Sequence, residues 1–149
     1  MAVQTVYPNN IPAAKPGHVS NMEKSNLISR TILDDAGVGF GLPVVDDTVS
    51  GTARLVTTGD THILGIVARE QTGNPLTPNK IGKHESAAIL TLGVIHVLTK
   101  VAVKAGDPVL VIVATGEFTN ATGAGNVAID NARFDRDAGA GELVRIRLG

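Results

Sequence analysis

His18, His62, His84 and His96 are the four imidazoles of the chain, and no two of them stand three to five residues apart. Catalytic metal sites commonly take two ligands from one such close pair, so a histidine metal centre is not expected. His96 lies inside an apolar run and reads as a core histidine bonded to a carbonyl, or as a subunit contact. His84-Glu85 could pair a base with its orienter, but its place between a loop and a strand reads as a solvated junction. Asp34-Asp35 and Asp46-Asp47 are the tempting carboxylate pairs. Adjacent residues of an extended chain point to opposite sides, whereas glycoside hydrolysis needs two carboxylates facing one substrate. Both pairs stand beside Gly, Ser or Thr, where Asp builds turns by bonding local backbone. Asp130, Asp135 and Asp137 lack the spacing and the acidic last ligand of a calcium loop. Thr122-Gly123-Ala124-Gly125-Asn126 is followed by no Gly-Lys-Ser/Thr, and no Gly-x-Ser-x-Gly elbow occurs. With Cys absent, thiolate chemistry and cysteine-held metals are out. The chain therefore reads as a non-enzyme with no cofactor.

Around these residues the chain reads as strands and turns. Residues 86–99 are apolar at nearly every position, without the polar stripe of a surface helix. The run is too short to span a bilayer with His96 and Gly93 inside it. Its β-branched residues favour a strand covered on both faces and bent near Gly93. Val109 to Val113 is equally apolar, and Lys104-Ala105-Gly106-Asp107-Pro108 between the two runs is turn chemistry. A buried antiparallel hairpin of 89–98 with 109–113 is expected. Residues 27–33, 38–45, 53–57 and 63–68 read as further strands, with turns at Asp34–Gly37 and Gly59-Asp60. Gln71 to His84, with Gly73, Pro75, Pro78 and Gly82, reads as a long loop. After the central pair come a turn and strand at 116–119 and two short runs, 127–129 and 132–134, parted by a turn or bulge at Asp130-Asn131. At the end Val144, Ile146 and Leu148 share one face and Arg145 and Arg147 the other, a half-buried period-two strand.

Residues 1–26 differ in kind. Pro8, Pro12 and Pro16 recur every four residues, which disfavours a helix or a central strand. Val3, Val6, Tyr7 and Ile11 punctuate the same segment, and a merely solvating tail has no use for them. Ordering some twenty residues costs on the order of 20–40 kcal/mol of backbone entropy, so an ordered arm must lie against another surface. We expect an extended arm contacting a neighbouring chain through Val3, Val6, Tyr7 and Ile11, with Tyr7 the main anchor.

Composition narrows the function. Lys plus Arg number 13 against 14 Asp plus Glu, a net charge of −1. A nucleic-acid surface needs concentrated basic charge, so no nucleic-acid partner is expected, and nothing points to a membrane. Aromatics make up 3% of the chain and Trp is absent, which leaves almost no stacking platform for sugars or bases. That weighs against the competing reading, a small β-sandwich module of a virion or cell surface that binds a ligand or glycan. The expected fold is all-β: a single-domain barrel or sandwich, jelly-roll-like, of about eight short strands over 27–149, with the extended Pro-rich arm over 1–26. Runs apolar on both faces, such as 63–68, also suggest self-association, a trimer ahead of a dimer.

The order of short motifs resembles the structural cement, or capsid decoration, proteins of tailed bacteriophages. The matching pieces are Gln4-Thr5-Val6-Tyr7-Pro8, the arm to Pro16-Gly17, Ala36-Gly37-Val38-Gly39-Phe40-Gly41, Leu64-Gly65-Ile66 and Gly93-Val94-Ile95 with Val97. Ala105-Gly106-Asp107-Pro108-Val109, Ala132-Arg133-Phe134 and Val144-Arg145-Ile146-Arg147-Leu148-Gly149 complete the series. The loop 71–83 has no counterpart among these pieces. The resemblance implies a β-rich protein without enzymatic activity, made in the host cytoplasm. It further implies binding, as an oligomer, to the outer surface of an icosahedral shell of major capsid protein.

Overall fold

The computed structural model describes residues 14–20, 23–70 and 79–149. No helix occurs among them; eleven strands do. These are β1 (Asn26–Ile32), β2 (Val38–Gly39), β3 (Pro43–Asp46), β4 (Thr52–Leu55), β5 (Gly65–Val67), β6 (Lys80–Ile81), β7 (Ser86–Leu98), β8 (Pro108–Ile112), β9 (Glu117–Thr119), β10 (Asn126–Phe134) and β11 (Leu143–Leu148). The all-β, single-domain expectation holds, and of barrel and sandwich it is the barrel that forms.

β7 organises the whole. Its first half pairs with β1 on one edge, Leu27 opposite Leu90 and Thr31 opposite Ser86, and with β5 on the other, Ile66 opposite Leu90. β5 continues through β3 and β4 back to β1, so five strands close a ring. The second half of β7 takes β11 along six consecutive residues, from Leu148 opposite Gly93 to Leu143 opposite Leu98. β11 leads through β10 and β8 to β9, and an isolated parallel bridge between Thr99 and Phe118 returns β9 to the end of β7. Two small rings thus share one strand. The changeover falls at Gly93, whose φ of 127° is closed to residues with a side chain, as the expected bend requires.

Burial follows the same plan. One apolar cluster draws Ile32, Ala53, Val44, Val67 and Ile89 from the five strands of the first ring, capped by Val38 and Ile81 of the small β2–β6 sheet. The other gathers Ile95, Val97, Val111, Phe118, Phe134 and Ile146 of the second ring, and Ile66 and Leu90 join it from the outer face of the first. Neighbours along β5 therefore enter different cores: Ile66 one, Val67 the other. The two-faced burial of 63–68 is satisfied inside a single chain.

Several expectations need correcting. β7 and β8 are not a hairpin, because β11 and β10 lie between them. The expected turn exists, with Asp107 N–H donating to Lys104 O at 3.1 Å and Lys104 N–H to the Asp107 carboxylate at 2.9 Å. However, residues 99–103 are no part of a tight connection. Thr99 N–H donates to Glu142 O, Lys100 N–H to Phe118 O, and Val103, 3% exposed, bridges Ala138. The segment crosses the end of the second ring and delivers β8 to its far side. The expected strand 38–45 is broken at Phe40–Leu42, where Gly41 N–H turns to Val67 O at 2.8 Å, and β2 pairs with β6 instead of continuing into β3. β6 also cuts into the loop expected over 71–84. Other expectations hold: Val144, Ile146 and Leu148 are buried, and Asn131, at φ 57°, sits in a bulge of β10.

The connection after β4 is tied back to that strand by an ion pair. Arg54 grips Asp60 with both terminal nitrogens, at 2.7 and 2.8 Å, and Thr57 N–H donates to the same carboxylate at 2.7 Å. The Arg54 hydrogen bond and the Thr57 bonds outweigh burial and lower the Asp60 pKa from 3.8 to about 2. A carboxylate more acidic in the folded than in the unfolded state stabilises above its unfolded pKa and loses that contribution as the pH falls. We expect up to about 2 kcal/mol of stability to disappear between pH 4 and pH 2. Asp60→Asn should flatten that part of the pH–stability curve and lower Tm at neutral pH by several degrees, read by calorimetry across pH.

Candidate functional site

Residues 17–20 lie along the second half of β7, on the edge opposite β11. Gly17 N–H donates to His96 O at 2.8 Å, His96 N–H to His18 O at 2.9 Å and Ser20 N–H to Val94 O at 2.8 Å, with Val19 opposite Ile95. Further along the same edge β1 takes over, Asn26 opposite Leu92. The end of the Pro-rich segment is thus a strand added to the shared β7.

Local chemistry explains the seat. Pro16 has no N–H to lose at the start of a strand. Gly17, at φ 85°, passes so close to the β2–β3 turn that a Cβ would stand 2.9 Å from Gly41 N and from Phe40 Cβ. Arg69 holds the segment from the other side: its backbone N–H donates to Gly17 O at 2.6 Å and its Nε to Pro16 O at 2.9 Å. The Arg69 guanidinium lies 4.8 Å over the Phe40 ring and also reaches Asn79 Oδ1 at 3.2 Å. β11 contributes its polar face, with Arg145 Nη1 donating to Ser20 Oγ at 3.2 Å and Arg147 paired with Glu23. Beside Pro16 a groove of about 580 Å³ runs between Phe40, Leu42, Leu98 and Phe118, and Leu98 is half exposed there.

Val3, Val6, Tyr7 and Ile11, the residues expected to make contacts, lie outside the described residues. Arg69 and Arg145 were not singled out from sequence; each occupies an ordinary strand or strand-end position, and only the fold brings the arm to them.

The titratable candidates stay apart. His62 is in the β4–β5 connection, and His84, at φ 66°, turns the chain after β6 with its N–H on Ile32 O. His18 and His96 meet across the added strand. His96 does not bond a carbonyl through Nδ1, which is buried without a partner among the described residues. Burial first, then the charges of Arg145, His18 and Arg136, hold the His96 pKa below its ordinary value. The aspartate pairs serve turns and ion pairs: Asp34 accepts from Leu55 N–H at 2.8 Å, Asp35 pairs with Lys83, Asp46 with Arg30, and Asp47 accepts from Thr48 N–H at 2.7 Å. No three metal-ligating side chains gather among the described residues.

The family described as "Structural cement protein (E217 gp24/Pam3 gp6)" matches residues 3–149. The chain belongs to this family. Cement proteins are structural components of the phage virion, not a class of enzyme. Among solved structures, the cement chain is similar to one titled the capsid of Myoviridae phage XM1, at 22% identity and a TM-score of 0.79, covering 100% of this chain and 98% of that one. A weaker likeness, at 11% identity and a TM-score of 0.50, is to the N base of the head fiber gp8.5 of bacteriophage phi29, covering 85% of this chain and 95% of that one. Both likenesses concern the fold. Among curated proteins none matches the cement sequence.

Proposed function

We propose that this cement protein binds the outer surface of an icosahedral phage capsid and stabilises contacts between major capsid protein subunits. The observation that carries the reading is the added strand at 17–20. Its backbone is hydrogen-bonded into β7, the strand common to both rings. A contact made by residues ahead of it therefore pulls on the whole domain and not on a loose tail. Residues 1–26 act as the clamp: the later ones are anchored on β7, and Val3, Val6, Tyr7 and Ile11 engage a neighbouring chain, either capsid protein or a second cement subunit. Self-association as a trimer or dimer is part of the proposal and rests on the symmetry of the shell. Many weak contacts then add through multivalency.

Electron microscopy of empty shells with and without added protein tests this directly. Extra density over the outer junctions between capsid subunits is the expected result. Bare junctions at saturating protein would overturn it.

A further inference from the structure

On the outer face of the second ring, β7 and β11 set His96 directly opposite Arg145. A pocket of about 250 Å³ opens there, walled by His96, Val144 and Arg145 and by Arg136 and Asp137 from the segment after β10. Two atoms, His96 Nδ1 and Arg145 Nε, are buried with no hydrogen-bond partner among the described residues. The rest of the Arg145 guanidinium is engaged, Nη1 with Ser20 Oγ and Nη2 with Asp135 at 2.7 Å. Buried polar groups in native proteins are almost always paired, and a polar cavity holds water or a ligand.

The charged and titratable groups that line the pocket or act on its two nitrogens come from four segments. β7 gives His96, β11 gives Arg145, the added strand gives His18, and the segment after β10 gives Asp135, Arg136 and Asp137. The acids are occupied: Asp135 by Arg145 and Arg147, and Asp137 Oδ1 by Ala105 N–H at 2.8 Å. The exposed Arg136 makes no ion pair among the described residues. His18 Nδ1 accepts from Lys15 N–H at 3.2 Å. Arg136 is thus a cation without an ion pair among the described residues, placed beside two unpaired nitrogens.

We propose that this pocket receives the carboxylate of an Asp or Glu side chain presented by the protein on which the cement subunit docks. The partner rests on the function proposed above; the carboxylate chemistry does not. With His96 neutral and Nδ1 unprotonated, Arg145 Nε offers a donor and His96 Nδ1 an acceptor, a pairing that suits water. A carboxylate accepts from Arg145 Nε and needs a proton on His96 Nδ1, so docking takes up one proton. Affinity therefore rises as the pH falls from 8 towards 6, where the incoming carboxylate is still ionised.

Two measurements test it. In the free protein, histidine nitrogen resonances are followed against pH in acetate and, at equal ionic strength, in chloride. Acetate should raise the pH at which His96 titrates, saturably, and the effect should weaken in Arg136→Gln, a variant expected to keep its Tm. On empty shells, His96→Gln should bind about tenfold more weakly than the wild type at pH 6, with a smaller difference at pH 8. A His96 titration indifferent to acetate would show a water-filled recess and overturn the proposal. So would equal binding of His96→Gln and wild type at both pH values, which rejects the partner's carboxylate. If the wild-type chain failed to decorate shells at all, the capsid reading would fall, and the acetate titration would still decide the chemistry of the pocket.

Discussion

Deletion of residues 1–13 is expected to weaken decoration of empty shells by about a hundredfold or more while moving Tm by no more than a few degrees. The two effects separate because of where the segment is anchored. Residues 14–20 remain, and with them the bonds of Gly17, His18 and Ser20 to β7 and of Arg69 to Pro16. Among the described residues, every member of both apolar clusters is retained. What is lost is Val3, Val6, Tyr7 and Ile11. A buried aromatic anchor alone is often worth 2 kcal/mol or more, roughly thirtyfold in affinity. The prolines between these residues reduce the entropy an arm loses on docking. Tyr7→Ala should therefore recover a large part of the deletion phenotype by itself. Sedimentation of shells with labelled protein measures both. Decoration by the truncated chain as tight as by the full one would make the segment a passive tail.

Gly65→Val is expected to be the most damaging single substitution in the first ring. A Cβ at residue 65 would stand 2.5 Å from Leu90 O and 2.8 Å from Ile89 Cγ2, both on β7. The obstacle is backbone, which cannot swing aside as a flexible side chain would. β5 is held between β3 and β7 by the pairs Val44–Gly65 and Ile66–Leu90. Any retreat from β7 therefore breaks the ring on one side or the other. Overpacking of this kind costs about 3 kcal/mol or more, a large fraction of a typical domain's stability. For a chain of this size, that lowers Tm by roughly 6–12 °C. Gly123→Ala serves as the control, since the nearest atom to a Cβ there is Asn126 Nδ2 at 3.6 Å. Equal Tm values for the two variants, measured by calorimetry, would show that β5 and β7 do not approach as closely as described.

Much of the fold was legible because strand signals are local. The alternation Val144, Ile146, Leu148 against Arg145, Arg147 identified both β11 and its buried face. The unbroken apolar run identified β7 as a strand with two covered faces, and Gly93 as its bend. Pairing was not legible in the same way. The β7–β8 hairpin was inferred from adjacency in sequence, yet β11 has the six-residue register that fits the second half of β7. Nothing within 99–107 states that Val103 belongs to a core and not to a turn. The site divided similarly. Proline spacing marked the arm as unusual, but the hold of Arg69 on Pro16 and of Arg145 on Ser20 depends on side chains 53 and 125 residues away. The expected arm contacts at Val3, Val6, Tyr7 and Ile11 lie outside the described residues.

The shared strand also sets an order on synthesis. All strands of the first ring lie within residues 26–98, so that ring can close once β7 has left the ribosome. The second ring waits for β11 at Leu143–Leu148, about fifty residues and several seconds of translation later. Through that interval the second half of β7 is a nascent sheet edge, apolar and lacking its β11 partner, the kind of template on which neighbouring chains mispair. Residues 17–20 are made before β7 and bond its opposite edge. In this order of synthesis the added strand that anchors the arm in the folded protein can cover one edge of β7 before β11 exists to cover the other.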